Sequence, residues 1–165
     1  MIVLGVDPGT RVTGYGFVLS EGRRQSLLEY GCIRTPKGAS LSERYCIIYE
    51  GLEDLVARFS PDAIAVETQF MKENFNSAMK LGMARGMVLL LSAKLKIPIY
   101  EYAPTKAKRA VVGNGRASKQ QVQAMIKVLL NLPVIPEPDD AADALALAIC
   151  HLNAVGQRLE LGTVL

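Results

Sequence analysis

The 165-residue sequence has no apolar run long enough to cross a bilayer. Its greasiest stretch, Met87 to Ala93, is short and lies between Arg85 and Lys94. It also lacks a basic segment followed by an apolar one at the start, so no signal peptide is expected. Cysteine is scarce. Cys32, Cys46 and Cys150 are odd in number and have no metal-type spacing, which argues against both a disulfide framework and a zinc site. They read as buried thiols of a reducing, cytoplasmic compartment. A single histidine, His151, falls late in the last expected helix and reads as structural.

What is present is a globular composition. Half of the residues are hydrophobic, enough for one sizeable core and against disorder. We expect one domain over 1–154 and a tail over 155–165. The net charge of +3 is mild, but its distribution is uneven. Lys94, Lys96, Lys106, Lys108, Arg109, Arg116, Lys119 and Lys127 share their segment with one acid, Glu101. Glu137, Asp139, Asp140 and Asp143 follow directly. A basic region beside an acidic cluster suits a metal-dependent enzyme acting on a polyanion, although a solvated lysine-rich surface has the same composition.

Apolar periodicity gives the element order. Ile2 to Val6 reads as a strand buried on both faces, ending in Asp7 and a Pro8-Gly9 turn. Val12–Leu19 and Gln25–Arg34 complete an antiparallel meander. Ser40 to Phe59 is a helix with Ser40 as N-cap and Glu43 as its capping-box partner. Ala63 to Val66 is a short strand ending in Glu67. A helix follows from about Glu73 to Leu95, apolar nearly all round in its second half, so a partner beyond one sheet face is implied. Gly82 and Gly86 are one turn apart on it and would permit close helix approach. Ile97–Tyr100 is a fifth strand, and Pro104–Val112, Ser118–Leu130 and Asp139–Ala154 are helices. The class is α/β, a mixed sheet between helical layers.

Two carboxylates, Asp7 and Glu67, terminate apolar strands. If those strands are parallel neighbours, both acids meet at the carboxyl edge, where ligands bind in open α/β sheets. Asp7 alone is equally well read as a turn residue. Glu67 on a buried strand end is costly without a partner. Asp140 and Asp143 share one helix face, but taken alone they fit better as first-turn residues, with Asp140 as N-cap. Together the four could chelate hard divalent cations for two-metal phosphodiester hydrolysis.

The segments GVDPGTRVTGYG (5–16), FMKENFNSAMKLGMARG (70–86), VVGNGRASKQQVQ (111–123) and DDAADALALAICH (139–151) resemble, in order and approximate spacing, the motifs of the bacterial RuvC-type Holliday junction resolvases. The resemblance covers nearly the whole chain except the tail. It implies a ribonuclease-H-like fold, a five-stranded mixed sheet flanked by helices on both faces. It implies a homodimer that cuts four-way DNA junctions symmetrically, leaving 5′-phosphate and 3′-hydroxyl ends. Asp7, Glu67, Asp140 and Asp143 occupy the positions of the family's metal ligands and catalytic acids. Magnesium is the expected ion, two per site, with manganese as a substitute. On the hypothesis of metal-activated water, Asp7 bridges the two ions, Glu67 holds the one near the leaving oxygen, and the Asp140–Asp143 pair holds the other. Lys108 and Lys119 align with basic residues of the family's cleft; Lys106, Arg109 and Arg116 are further candidates for phosphate contact. Phe70 is implied to stack on a base of the opened junction, the alternative being a core phenylalanine. A branch-migration motor of the Ruv system is the implied partner, and no membrane is involved.

Three other readings compete. The Asp-Pro-Gly-Thr turn also suits the nucleotide-binding turn of sugar kinases and of actin and heat-shock ATPases, but those need two such domains. A non-catalytic junction-binding protein would not need intact carboxylates. A nuclease of the same fold acting on RNA–DNA hybrid would not need the match over 70–86.

Overall fold

A computed structural model of the chain describes residues 1–22, 24–68, 75–156 and 163–164. It consists of β1 (Ile2–Asp7), β2 (Val12–Glu21), β3 (Arg24–Arg34), α1 (Leu41–Phe59), β4 (Ala63–Glu67), α2 (Phe75–Leu95), β5 (Ile99–Tyr102), α3 (Pro104–Val112), α4 (Lys119–Leu129), α5 (Asp139–Gly156) and β6 (Thr163–Val164). One sheet runs in the order β3-β2-β1-β4-β5-β6. The first three strands form the expected antiparallel meander. β4 lies parallel to β1, and β5 parallel to β4.

Both helix starts expected from sequence carry their capping boxes. Ser40 and Glu43 exchange side-chain and backbone bonds at α1, and Ser118 and Gln121 do so at α4. Two boundaries differ from the reading of the sequence. The fifth strand is Ile99–Tyr102, two residues later than expected, because the Ile97 N–H is still bonded to the Ser92 carbonyl at the end of α2. Pro98 then lies before the strand instead of inside it. In the segment expected as a tail, Thr163–Val164 pairs with β5 as a two-residue sixth strand. The thiols also differ from expectation: Cys150 is buried, Cys32 is partly exposed and Cys46 is exposed.

The sheet separates two apolar layers. On one side Leu4, Val6, Phe17, Ile64, Val66 and Ile99 pack with the inner faces of α1 and α2. On the other, Val3, Val18, Ala65 and Tyr102 pack with α3, α4 and α5. This alternation fixes the phase of the strand ends. Leu4 and Val6 face α1 and α2, so Asp7, next in the strand, faces the α5 side. Ile64 and Val66 leave Glu67 on that same side.

α5 approaches this face at backbone distance because the sheet is glycine there. A Cβ on Gly5 would stand 1.8 Å from the Ala144 carbonyl oxygen, and one on Gly14 would stand 2.0 Å from that of Asp140. Gly5 pairs with Gly16 and Asp7 with Gly14, so these positions line one face of β1 and β2. The helix answers with buried Ala141, Ala144 and Ala148. No helix of the described residues is long and apolar enough to cross a membrane.

Candidate active site

The parallel register of β1 and β4 pairs Val6 with Val66. The next residue on each strand is a carboxylate, so Asp7 and Glu67 stand side by side at the carboxyl edge. The first turns of α5 lie across this edge, with the Asp140 backbone directly over Gly14. Asp7, Glu67 and Asp143 line one cleft of 320 Å³, together with Lys108 of α3, Lys119 of α4 and an apolar floor that includes Ala107, Val122, Ala146 and Leu147.

The four acids do not occupy equivalent places. Asp140 lines an adjoining hollow with Gln123, Glu137 and Asp139, not the cleft itself. It is also not an N-cap. α5 begins at Asp139, and the Pro138 carbonyl accepts the Ala141 and Ala142 N–H groups, which puts Asp140 inside the first turn. The capping explanation for the Asp140–Asp143 pair therefore does not hold.

Burial and mutual repulsion dominate the electrostatics. Burial, then Glu67, Asp143 and Asp140 in that order, push the Asp7 carboxyl up to about 7, and Lys119 only partly opposes them. Glu67 is also raised by burial and by Asp143, against Lys108 and Lys119. Asp143 is raised by burial, against the Lys119 ammonium. That ammonium lies 3.5 Å from carboxylate oxygens of both Asp143 and Asp139. Partial burial works against the Lys119 charge, but the two aspartates outweigh it and hold its pKa above the ordinary value.

The donor set is all oxygen, which suits a hard divalent cation. Burial first, and then the repulsion of three neighbouring acids that Lys119 only partly opposes, make the Asp7 charge unfavourable, a cost that a divalent ion would relieve. Among the described residues, no three His, Cys, Asp or Glu side chains already close around one point as a finished ligand set. The residues fit the ion in chemistry and sign, and they need side-chain adjustment to enclose it.

The remaining candidates separate. Lys108 and Lys119 reach the cleft. Lys106 places its ammonium over the Tyr102 ring, 5.4 Å from the centroid. Arg116 and Arg109 are exposed, Arg116 on the loop that joins α3 to α4. Phe70 lies outside the described residues. Arg85 is engaged with Glu101 at 2.6 Å. His151 is structural, as expected: buried, its Nδ1 is 2.7 Å from the Tyr102 hydroxyl, and burial pushes its pKa down to about 4.

Sequence reasoning counted Asp139 in the acidic cluster but gave it no role; it tethers Lys119 at the rim. Sequence reasoning missed Thr13, a fully buried hydroxyl that donates to the Gly9 carbonyl (2.9 Å) and accepts from the Gly9 N–H (3.3 Å). Thr13 thereby fixes the turn after Asp7. A threonine six residues after the aspartate was the available signal.

Comparison with known proteins shows the family and the fold. The family model described as Crossover junction endodeoxyribonuclease RuvC matches residues 3–151. The protein of that name from Protochlamydia amoebophila (strain UWE25) is 58% identical over 151 residues, covering 92% of this chain and 90% of its own. That of Desulfitobacterium hafniense (strain DSM 10664 / DCB-2) is 44% identical over 165 residues, covering 100% of both. Among solved structures, T. thermophilus RuvC in complex with Holliday junction substrate superimposes with a TM-score of 0.93 at 34% identity, covering 100% of this chain and 99% of that one. The ribonuclease-H-like mixed sheet between two helical layers is the fold observed.

Proposed function

The chain belongs to the RuvC family of crossover junction endodeoxyribonucleases, and from that membership we propose how its cleft resolves four-way DNA junctions. The observation that carries the proposal is the group of three acids, Asp7, Glu67 and Asp143, rimmed by Lys108 and Lys119 in one cleft at the sheet edge. Asp7, Glu67 and Asp143 hold divalent metal, with Asp140 contributing from the first turn of α5. Magnesium is the ion, two per site, with manganese as a substitute. Bound there, the metal supplies an activated water and charge neutralisation at the scissile phosphate. Lys108 and Lys119 draw the phosphodiester backbone into an otherwise repulsive acidic cleft. The apolar floor under the acids keeps their charges poorly solvated, so they compete strongly for a cation. Hydrolysis leaves 5′-phosphate and 3′-hydroxyl ends.

Symmetric cutting needs two clefts, and α2 offers the surface for a second copy. Phe75, Met79, Met83 and Leu90 are exposed, the first 73% and the last 54%. With Gly82 and Gly86 they recur at helical spacing along one outward stripe. A Cβ on Gly86 would meet nothing within 4 Å among the described residues, so no contact there requires a glycine. We assign this stripe to a homodimer interface. A branch-migration motor is the partner that the family implies.

The test is cleavage of a synthetic four-way junction, with linear duplex as control, in magnesium and in chelator. Metal-dependent paired nicks in the junction alone are expected. Equal cutting of both substrates would reduce the chain to a general nuclease, and metal-independent binding without nicks would make it a junction-binding protein.

A further inference from the structure

The candidate phosphate contacts Lys106, Lys108, Arg109, Arg116 and Lys119 all lie on one flank of the carboxylates, on α3, α4 and the loop between them. The other flank, at the β2–β3 side of the same sheet edge, carries a second basic group that the charge runs of the sequence do not reveal. Arg11 lies in the turn after Asp7, Arg34 is the last residue of β3, and Lys37 lies in the loop that follows. All three are exposed. None makes an ion pair or side-chain hydrogen bond among the described residues.

Register places Arg34 on the face of the cleft. Asp7 pairs with Gly14, Gly14 with Cys32, and Val12 with Arg34. Gly14 faces α5, so its partner Cys32 does too, and so does Arg34 two residues on. Burial first, then Asp140 and last Asp7 disfavour ionisation of the Cys32 thiol, and Arg34 favours it. Two strand spacings and two residues of rise put the Arg34 Cα about 12 Å from that of Asp7. The backbone around this group is braced. The Thr35 N–H and hydroxyl donate to the Arg11 and Thr10 carbonyls at 3.0 Å each. The Arg44 guanidinium donates to the Lys37 and Ala39 carbonyls at 2.9 Å each.

We propose that Arg11, Arg34 and Lys37 form a second phosphate-contacting rim, which grips the duplex DNA arm entered by the strand that crosses the carboxylates. The inference rests on the junction-resolvase reading and extends it to a surface outside the catalytic cleft. A polyanion laid over Asp7 meets Lys108 and Lys119 on one flank, and Lys119 is already engaged by Asp139 and Asp143. On the opposite flank it meets three cations with no competing partner among the described residues, held on the turn after β1 and on the end of β3 with the loop that follows, which are tied to each other. The braced backbone means that little order has to be gained on binding.

The experiment is equilibrium binding of a fluorescent four-way junction, without divalent metal, across a series of potassium chloride concentrations. Each duplex phosphate contact adds about 0.9 to the slope of log affinity against log salt. The triple variant Arg11→Gln, Arg34→Gln, Lys37→Gln is expected to flatten that slope by up to about 2.7 and to bind more weakly at every salt concentration. Arg34→Lys keeps the charge and is expected to keep the slope. Lys96→Gln, an exposed lysine between α2 and β5 at the far end of the sheet, is expected to leave it unchanged. All variants are first matched to wild type by circular dichroism. A triple variant with wild-type slope and affinity overturns the rim, as does a Lys96→Gln loss equal to that per rim charge. Failure of the wild-type chain to prefer a junction over linear duplex defeats the resolvase reading instead, so the two outcomes are separable.

Discussion

Asp7→Asn should make the metal-free protein more stable while abolishing cleavage. In the fold the Asp7 carboxyl is raised from its ordinary 3.8 to about 7, first by burial and then by three neighbouring acids. One pKa unit corresponds to about 1.4 kcal/mol, so ionised Asp7 costs the folded state about 4 kcal/mol at pH 8. The sign follows from proton uptake: the native chain binds its proton more tightly than the unfolded chain. Stability therefore falls as pH rises from about 4 to about 7 and levels off above that. Glu67 and Asp143 are shifted in the same direction and add to the trend. Asparagine keeps the size of the side chain and removes the charge. For a chain of this length 1 kcal/mol moves Tm by about 2–4 °C, so Asp7→Asn should melt about 8–16 °C higher than wild type at pH 8 in EDTA. At pH 5 wild type recovers about 3 kcal/mol by protonating Asp7, and most of the gap should close. Saturating magnesium should raise the wild-type Tm more than that of the variant. An Asp7→Asn protein that melts at or below wild type at pH 8, or a gap that does not depend on pH, would refute the reasoning. An Asp7→Asn protein that still cleaves would remove the central claim about the site.

Lys108→Gln and Lys119→Gln should each weaken junction binding and flatten its salt dependence by about 0.9, read by titration at several salt concentrations; an unchanged slope would take these lysines out of contact with DNA. Gly14→Ala should force α5 off β2, since its Cβ would stand 2.0 Å from the Asp140 carbonyl oxygen; overpacking of this kind costs about 1–3 kcal/mol or more. Thermal melting reads that loss, and cleavage should fall beyond it as Asp140 and Asp143 move away from Asp7. Leu90→Asp, at the C-terminal end of the exposed α2 stripe, should convert a dimer to a monomer in analytical ultracentrifugation without unfolding the chain, because Leu90 is 54% exposed; a wild-type-like dimer would place the interface elsewhere.

The skeleton of the site was legible because strand ends announce themselves. An apolar run that stops at a carboxylate, twice, leaves few arrangements once the strands are parallel neighbours, and period-two alternation then sends Asp7 and Glu67 to the same face. Capping boxes made the starts of α1 and α4 equally plain. Other features depend on distances that spacing does not carry. Asp140 and Asp143 share a helix face, yet Asp143 lines the cleft and Asp140 the adjoining hollow, since three residues along a helix also move a side chain about 4.5 Å along the axis. The basic group of Arg11, Arg34 and Lys37 is scattered in sequence and becomes a cluster only through the pairing of β2 with β3. The fifth strand was displaced by Pro98, whose preceding residue still belongs hydrogen-bond-wise to α2.

The glycines explain why the acids of α5 reach the sheet acids at all. A helix on an ordinary sheet sits on side chains, and a carboxylate in its first turns would then stand clear of the strand ends. At Gly5 and Gly14 the helix carbonyls occupy the places that Cβ atoms would fill. This contact costs apolar area, since glycine buries no side chain. It is compensated by burial of α5 along almost its whole length, its own Leu145, Leu147, Ile149 and Leu152 included. The well-packed middle of α5 thus holds its acidic end against Asp7 despite the repulsion. Relaxing that repulsion by letting α5 slide would strip Leu145 and Ile149 of their contacts, at about 1.5–3 kcal/mol for each side chain exposed. A mobile α5 would lower the repulsion, but it would also weaken the pull on a divalent ion. Close packing keeps the bare site unfavourable, and this is the condition under which binding a cation gains the most.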